Sequence, residues 1–277
     1  MGDNFRSNQQ IQNYSNLLCD GTRDLYNPTD NIDNIVLLSS TDANWATKVL
    51  SNIDPNKSLA LLRFSNKNAE NGANKLTTNG LECVYIPQIP IADITTETAW
   101  LYTAIAKYFI LEKYSVYDVI SEIPVEGNEN NKTVSTIKRL LNKIEKNIND
   151  EPSFSSSVIA LAKYLGYDTR PEHIDKLFET ICDSSYHVAF EPDKYKHIAT
   201  TFHSSKGLEF EQVIVFAEDY SLKDMPSIYN HYVAATRAKN KLIIVKLNNY
   251  YANCFQNNLQ NIFSKSGHNI EDVVLFK

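Results

Sequence analysis

Residues 200–215 read TTFHSSKGLEFEQVIV, and the order of chemistry in this stretch decides the fold. An apolar, β-branched run at 198–202 ends in a polar turn, Gly207 offers backbone freedom that other residues lack, and a second apolar run at 212–217 follows almost at once. The bland reading is a tight connection between two buried strands, with Lys206 and Glu209 merely solvated. The sharper reading rests on position, because loops at strand ends are where parallel α/β sheets bind ligands.

Working outward, similar short runs stand at 32–38, 58–64, 82–86 and 241–247, and 273–276 can add a last strand. Helix-like stretches at 42–51, 69–79 and 226–238 alternate with them, which predicts an α/β fold with a parallel sheet and helices on its faces. The middle differs. From 94 to 186 the chain reads as successive helices (97–112, 134–148, 155–165 and 171–184), and a polar stretch at 127–133 reads as a surface loop. In 134–148, Val134, Ile137, Leu140, Leu141, Ile144 and Ile148 recur at helical spacing between Lys and Glu. The expected organisation is a first α/β part at 1–93, a helical insertion at 94–186 and a second α/β part at 187–277.

Bulk composition narrows the function classes. With 277 residues, 43% hydrophobic and 11% aromatic, the chain can build a core. A net charge of -6 argues against an indiscriminate nucleic-acid-coating surface, so any DNA contact must be local. Cys19, Cys83, Cys182 and Cys254 form no CxxC pair and the histidines show no ligand spacing, so no metal site is expected and the thiols read as inert. No apolar run approaches the roughly 20 residues of a membrane helix, and no basic-then-apolar leader opens the chain. No membrane partner is expected, and the cytoplasm is the expected location.

Three further segments carry chemistry. Residues 232–239 read YVAATRAK, where Ile228, Tyr232 and Ala235 share a helical face and Arg237 falls at the helix end; an isolated Arg there ordinarily complements the helix dipole. Residues 4–7 read NFRS; Ser7 with Gln10 fits a capping box, which makes Arg6 project from a strand-to-helix junction, the alternative being a frayed end. Residues 61–66 read LLRFSN and place Arg63 at a strand end, either as a DNA contact or as a surface Arg.

Taken in order, these segments resemble the second-half motifs of UvrD/Rep/PcrA-type superfamily 1 DNA helicases. NFRS is similar to motif IV, LLRFSN to the strand-end Y-R-S-N segment, T-x-H-x-x-K-G-L-E-F to motif V and Y-V-x-x-T-R-A to motif VI. The likeness departs from the family at 227–231, which read SIYNH where Glu and Arg are usual. In the helical block it is positional only, since these helicases insert a helical subdomain at that place; the block resembles a shortened 2B subdomain.

The resemblance implies a RecA-like, P-loop-type parallel sheet that lacks the phosphate loop, with an inserted helical subdomain, acting as the C-terminal motor domain of an ATP-dependent DNA helicase or translocase. Its cofactor is then ATP with Mg²⁺, bound mainly by an N-terminal RecA-like domain of the same protein. By the same resemblance Arg6 and Arg237 reach the γ-phosphate as arginine fingers, and Glu209 with the Gly207 backbone lies near the ribose. Thr201 and His203, with Arg63, face single-stranded DNA. No G-x-x-x-x-G-K-[ST] loop is present, and Lys206-Gly207 has the reverse order, so the isolated chain is expected neither to hydrolyse ATP nor to unwind DNA. The alternative is a non-catalytic, helicase-like interaction module in DNA repair or phage defence. A nuclease-fused relative finds no D-x-K-type signature after Leu247.

Overall fold

The computed structural model describes residues 7–29, 32–124 and 131–277. Two compact units divide the chain: Met1–Ile86 with Asp193–Lys277, and Pro87–Pro192 between them. The sequence reading had put these boundaries at 93/94 and 186/187. The flanking 3-10 turns Pro90–Asp93 and Ser184–Phe190 belong to the helical unit, where Ile91 is buried in the core and Phe190 packs against it.

In the first unit the strands are β1 (Ile35–Ser40), β2 (Leu59–Arg63), β3 (Val84–Tyr85), β4 (His197–Thr201), β5 (Phe210–Phe216), β6 (Ala238–Leu247) and β7 (Leu275–Phe276). They form one seven-stranded sheet in the order β3-β4-β2-β5-β6-β1-β7, and every pairing is parallel. The near-continuous burial of β1, β2 and β5 follows from their Val, Ile and Leu content, as a sheet covered on both faces requires.

Helices α1 (Gln9–Leu18), α2 (Trp45–Leu50) and α3 (Asn66–Thr78) precede the helical unit, and α9 (Met225–Ala235) and α10 (Tyr250–Ser264) follow it. Between them α4 (Ala99–Ile110), α5 (Val116–Ser121), α6 (Asn131–Lys146), α7 (Glu151–Tyr164) and α8 (Pro171–Cys182) pack around Leu101, Ile105, Leu141, Phe154, Leu161 and Leu177. Ser65, Asp224 and Asn249 start α3, α9 and α10 by accepting from backbone N–H groups three residues on. On α3, a Cβ added at Gly72 would stand 2.6 Å from Leu61 Cδ2, so the glycine lets this helix sit on β2 without moving the Leu61 side chain.

Two local expectations change. The cap of α1 is Asn8, whose side chain accepts from the Ile11 N–H; Ser7 Oγ instead donates to the Ala238 carbonyl at 2.7 Å. On α9 the buried residues are His231, Ala234 and Ala235, while Ile228 and Tyr232 are only partly covered. His231 is enclosed by Tyr14, Tyr220 and Phe255, with Nε2 2.6 Å from the Tyr14 hydroxyl and Nδ1 without a partner.

Burial pushes the His231 pKa down from 6.5 to about 3. The folded protein therefore refuses a proton that the unfolded chain accepts, and stability is full above about pH 6.5 and falls as the pH drops toward 3. Between pH 6.5 and 5 the loss is about 2 kcal/mol, at roughly 1.4 kcal/mol per unit. In urea titrations at several pH values, His231→Gln should remove this slope; an unchanged slope would show that other groups carry the acid sensitivity.

Candidate functional site

Parallel topology sets where the chemistry can lie. Thr201 at the end of β4 pairs with Arg63 at the end of β2, whereas Gln212 near the start of β5 pairs with Leu59 at the start of β2. A chain that leaves β4 at the carboxyl edge must return to the amino edge before β5 can run parallel. Residues 202–209 make that crossing past β2 without a helix. The segment quoted at the outset thus spans the height of the sheet, touching both of its edges.

The crossing is a chain of turns. Ser205 N–H donates to the Thr201 carbonyl (3.1 Å), Leu208 N–H to the Ser205 carbonyl (3.0 Å), and buried Ser205 Oγ to the Phe202 carbonyl (2.8 Å). Gly207 follows at φ +86°, a left-handed conformation that a side chain would strain.

At the amino edge, the start of β5, the end of α9 and the start of β6 meet. Phe210 N–H donates to the Arg237 carbonyl at 3.0 Å. The Arg237 guanidinium donates from Nε to the Val233 carbonyl (3.1 Å), and through longer bonds of 3.4 Å to the Leu208 carbonyl and Thr236 Oγ1. Half-buried, it helps to close the helix end through these bonds, the one to Val233 being the firmest of them. Glu209 forms an ion pair with Lys239 at 3.3 Å. Ser7 and Asn8 join the same corner, Ser7 through the Ala238 carbonyl and Asn8 through its N–H to the Lys239 carbonyl (2.8 Å). The segments around Ser7, Gly207 and Arg237 therefore converge; Arg6 lies outside the described residues.

Arg237 stands at the amino ends of β5 and β6, because a helix must deliver the chain to the start of the next parallel strand.

The carboxyl edge holds the other residues. Arg63 is 7% exposed; its Nε donates to Asp219 Oδ2 (2.6 Å), its Nη2 to Glu218 Oε1 (3.0 Å) and Asp219 Oδ1 (3.1 Å), and its guanidinium lies 3.8 Å over the Phe216 ring. That side chain ties β2 to the turn after β5, and the expected DNA contact by Arg63 gives way to a structural role. Thr201 is buried too, its Oγ1 3.0 Å from Ser204 Oγ and accepting from the Ser204 N–H. Its hydroxyl works inside the turn, contrary to the expected DNA-facing role.

His203 remains exposed, with its ring 3.9 Å from that of Phe202. Partial desolvation and then the Lys206 charge hold its pKa below the ordinary imidazole value, which leaves it neutral near pH 7. Beside it stands a residue the sequence reading passed over: Phe64, 55% exposed, with its ring 5.8 Å from Phe202. An aromatic residue directly after a buried strand and before the Ser65 cap was the available signal.

Among the described residues no group of three His, Cys, Asp or Glu side chains could hold a metal ion, and no helix is long and apolar enough to cross a membrane.

Residues 197–245, from β4 into β6, match the family model described as the UvrD-like helicase C-terminal domain. The chain is similar to the Gabija protein GajB of Bacillus cereus (strain VD045), 33% identical over 258 residues that cover 90% of this chain and 51% of the relative. The chain thus spans about half the length of that curated relative. Among solved structures, a C-terminal domain of a possible DNA helicase from Lactobacillus plantarum WCFS1 aligns over 99% of both chains at 12% identity and a TM-score of 0.43.

Proposed function

We propose that this chain is the second motor domain of an ATP-dependent DNA helicase or translocase, active only when joined to a phosphate-loop domain. One observation carries the reading: residues 202–209 connect an exposed aromatic cluster at the carboxyl edge of the sheet to the Arg237 corner at its amino edge. Bound ATP would supply the phosphoanhydride whose hydrolysis drives the motor. Arg237 and Glu209 fit such a ligand chemically, one as a fork of donors for phosphate oxygens and the other as an acceptor for ribose hydroxyls. Arg6 is assigned beside Arg237 through its motif, and Gly207 through the close approach its backbone permits.

At the other edge, Phe64 and His203 offer ring faces to unstacked bases, and neither brings a charge at neutral pH. That suits a chain of net charge -6, in which the DNA track must be shaped rather than coated with cations. Single-stranded DNA and an N-terminal RecA-like domain are the partners this function needs.

The test is DNA-stimulated ATP hydrolysis by this chain joined to its phosphate-loop partner domain. Stimulation should be present there and absent from the isolated 277 residues. Phe64→Ala should weaken binding of single-stranded DNA by about 1–3 kcal/mol, a typical cost of a lost stacking face. His203→Ala should depress DNA-stimulated turnover more than basal turnover. Turnover by the isolated chain, or equal loss of basal and stimulated rates in both variants, would refute the assignment.

A further inference from the structure

A second feature of the amino edge has no place in the motor reading and stands independently of it. A recess of about 450 Å³ opens near the starts of β1, β2, β5 and β6. Three lysines from separate segments line it: Lys57 just before β2, Lys241 within β6 and Lys277 just after β7. Lys277 Nζ donates to Asn52 Oδ1 at 2.8 Å. The hydrogen bonds and ion pairs among the described residues include none from the Lys57 or Lys241 ammonium groups.

Like charges gathered in this way repel one another. Partial burial, followed by the charges of Lys277 and Lys57, lowers the Lys241 pKa, and Asp33 opposes the shift. The other nearby carboxylate, Asp54, accepts from the Asn56 N–H through Oδ1. Asn34 and Asn52 add amide groups to the wall, and buried Gln212 fixes the floor by exchanging two hydrogen bonds with the Asp54 backbone, each 2.8 Å.

Ammonium groups arriving from three segments on one recess suit a compact ligand with oxygens on several sides. A nucleic-acid strand needs charges set along a track with stacking faces between them, and the recess lining has no aromatic residue. Lysine, a point charge without the planar fork of arginine, serves as well for a tetrahedral oxyanion. We propose that this recess binds a compact polyanion of the phosphate class, with Lys57 and Lys241 as its principal ligands and Lys277 on a third side.

The probe is inorganic pyrophosphate, titrated calorimetrically into the full 277-residue chain at low ionic strength. Lys57→Gln and Lys241→Gln should each weaken binding by about tenfold or more, the scale of one charge-assisted contact, while Lys163→Gln on α7 leaves it unchanged. Both recess variants should melt no lower than the parent, since each relieves repulsion. Absent pyrophosphate binding, or equal affinity in the parent and Lys241→Gln, overturns the proposal. Loss of binding in Arg237→Ala with the lysine variants intact would place the anion at the helix end and overturn it as well. So would lysine variants that lose a single-stranded oligonucleotide which pyrophosphate does not displace.

Discussion

On the proposed function, Arg237→Ala in the chain joined to its phosphate-loop domain is expected to reduce ATP turnover about 10³- to 10⁵-fold, the range seen when an arginine finger is removed from a phosphoryl-transfer site. The magnitude follows from where charge develops. In the transition state it spreads over the equatorial oxygens of the transferred group, and a permanently charged planar donor stabilises it better than it stabilises the ground state. In the chain alone, Arg237 donates to Val233, Leu208 and Thr236, two of those bonds at 3.4 Å. The variant should still fold, because those bonds lie at a half-buried helix end, where a lost contact costs about 1 kcal/mol. Arg237→Lys should recover only a small part of the rate, because a lysine keeps charge without the fork. Arg6→Ala should produce a loss of similar size, and the double variant should be little worse than either single one, as for groups that act together. Steady-state turnover with saturating DNA, beside a melting curve, decides the matter. Near-normal turnover in both single variants with parental stability would make these arginines scaffolding.

The strands were legible because β-branched runs bounded by polar turns leave few other readings, and all seven lie within residues of where the pattern put them. Two helices were not. Val116–Ser121 is too short to show a period, and α10, at Tyr250–Ser264, carries asparagines and glutamines that dilute its stripe of Ala252, Phe255, Leu259, Ile262 and Phe263. Site residues fared unevenly for a related reason. Motif order located the convergence around Ser7, Gly207 and Arg237, because spacing along a chain survives folding. It could not show that Arg63 turns inward, since Glu218 and Asp219 are partners that only the fold brings near, and the local turn in which Thr201 meets Ser204, three residues on, was not read from the sequence. Phe64 was missed by the converse error: a large apolar residue beside a strand reads as core until its exposure is seen.

Arg63→Ala should destabilise the strand-bearing unit by about 3 kcal/mol, at the lower end of the cost of breaking a buried ion pair. The pair is not fully enclosed, the Glu218 side chain being 20% exposed, and water can recover part of the loss there. At Asp219, 6% exposed, it cannot. That carboxylate accepts from Arg63 Nε and Nη2 and from the Phe64 N–H, so removing the guanidinium strands a charge while its backbone anchor holds it in place. Arg63→Lys should recover only part of the stability, because one ammonium cannot serve both carboxylates and lie flat on Phe216. The effect should also spread. Glu218 Oε2 accepts from the Asn249 side chain that caps α10, and Phe64 N–H depends on Asp219, so the stacking face at the carboxyl edge should loosen with the ion pair. Trp45 packs edge-on to Phe216 at 5.0 Å, and its fluorescence, read in a Trp100→Phe background, reports unfolding of this unit during a urea titration. A midpoint within error of the parent would show that the Arg63 pair is solvated and sets nothing. Loss of stability with unchanged single-stranded DNA binding in the folded population would separate the pair from the Phe64 face it is argued to hold.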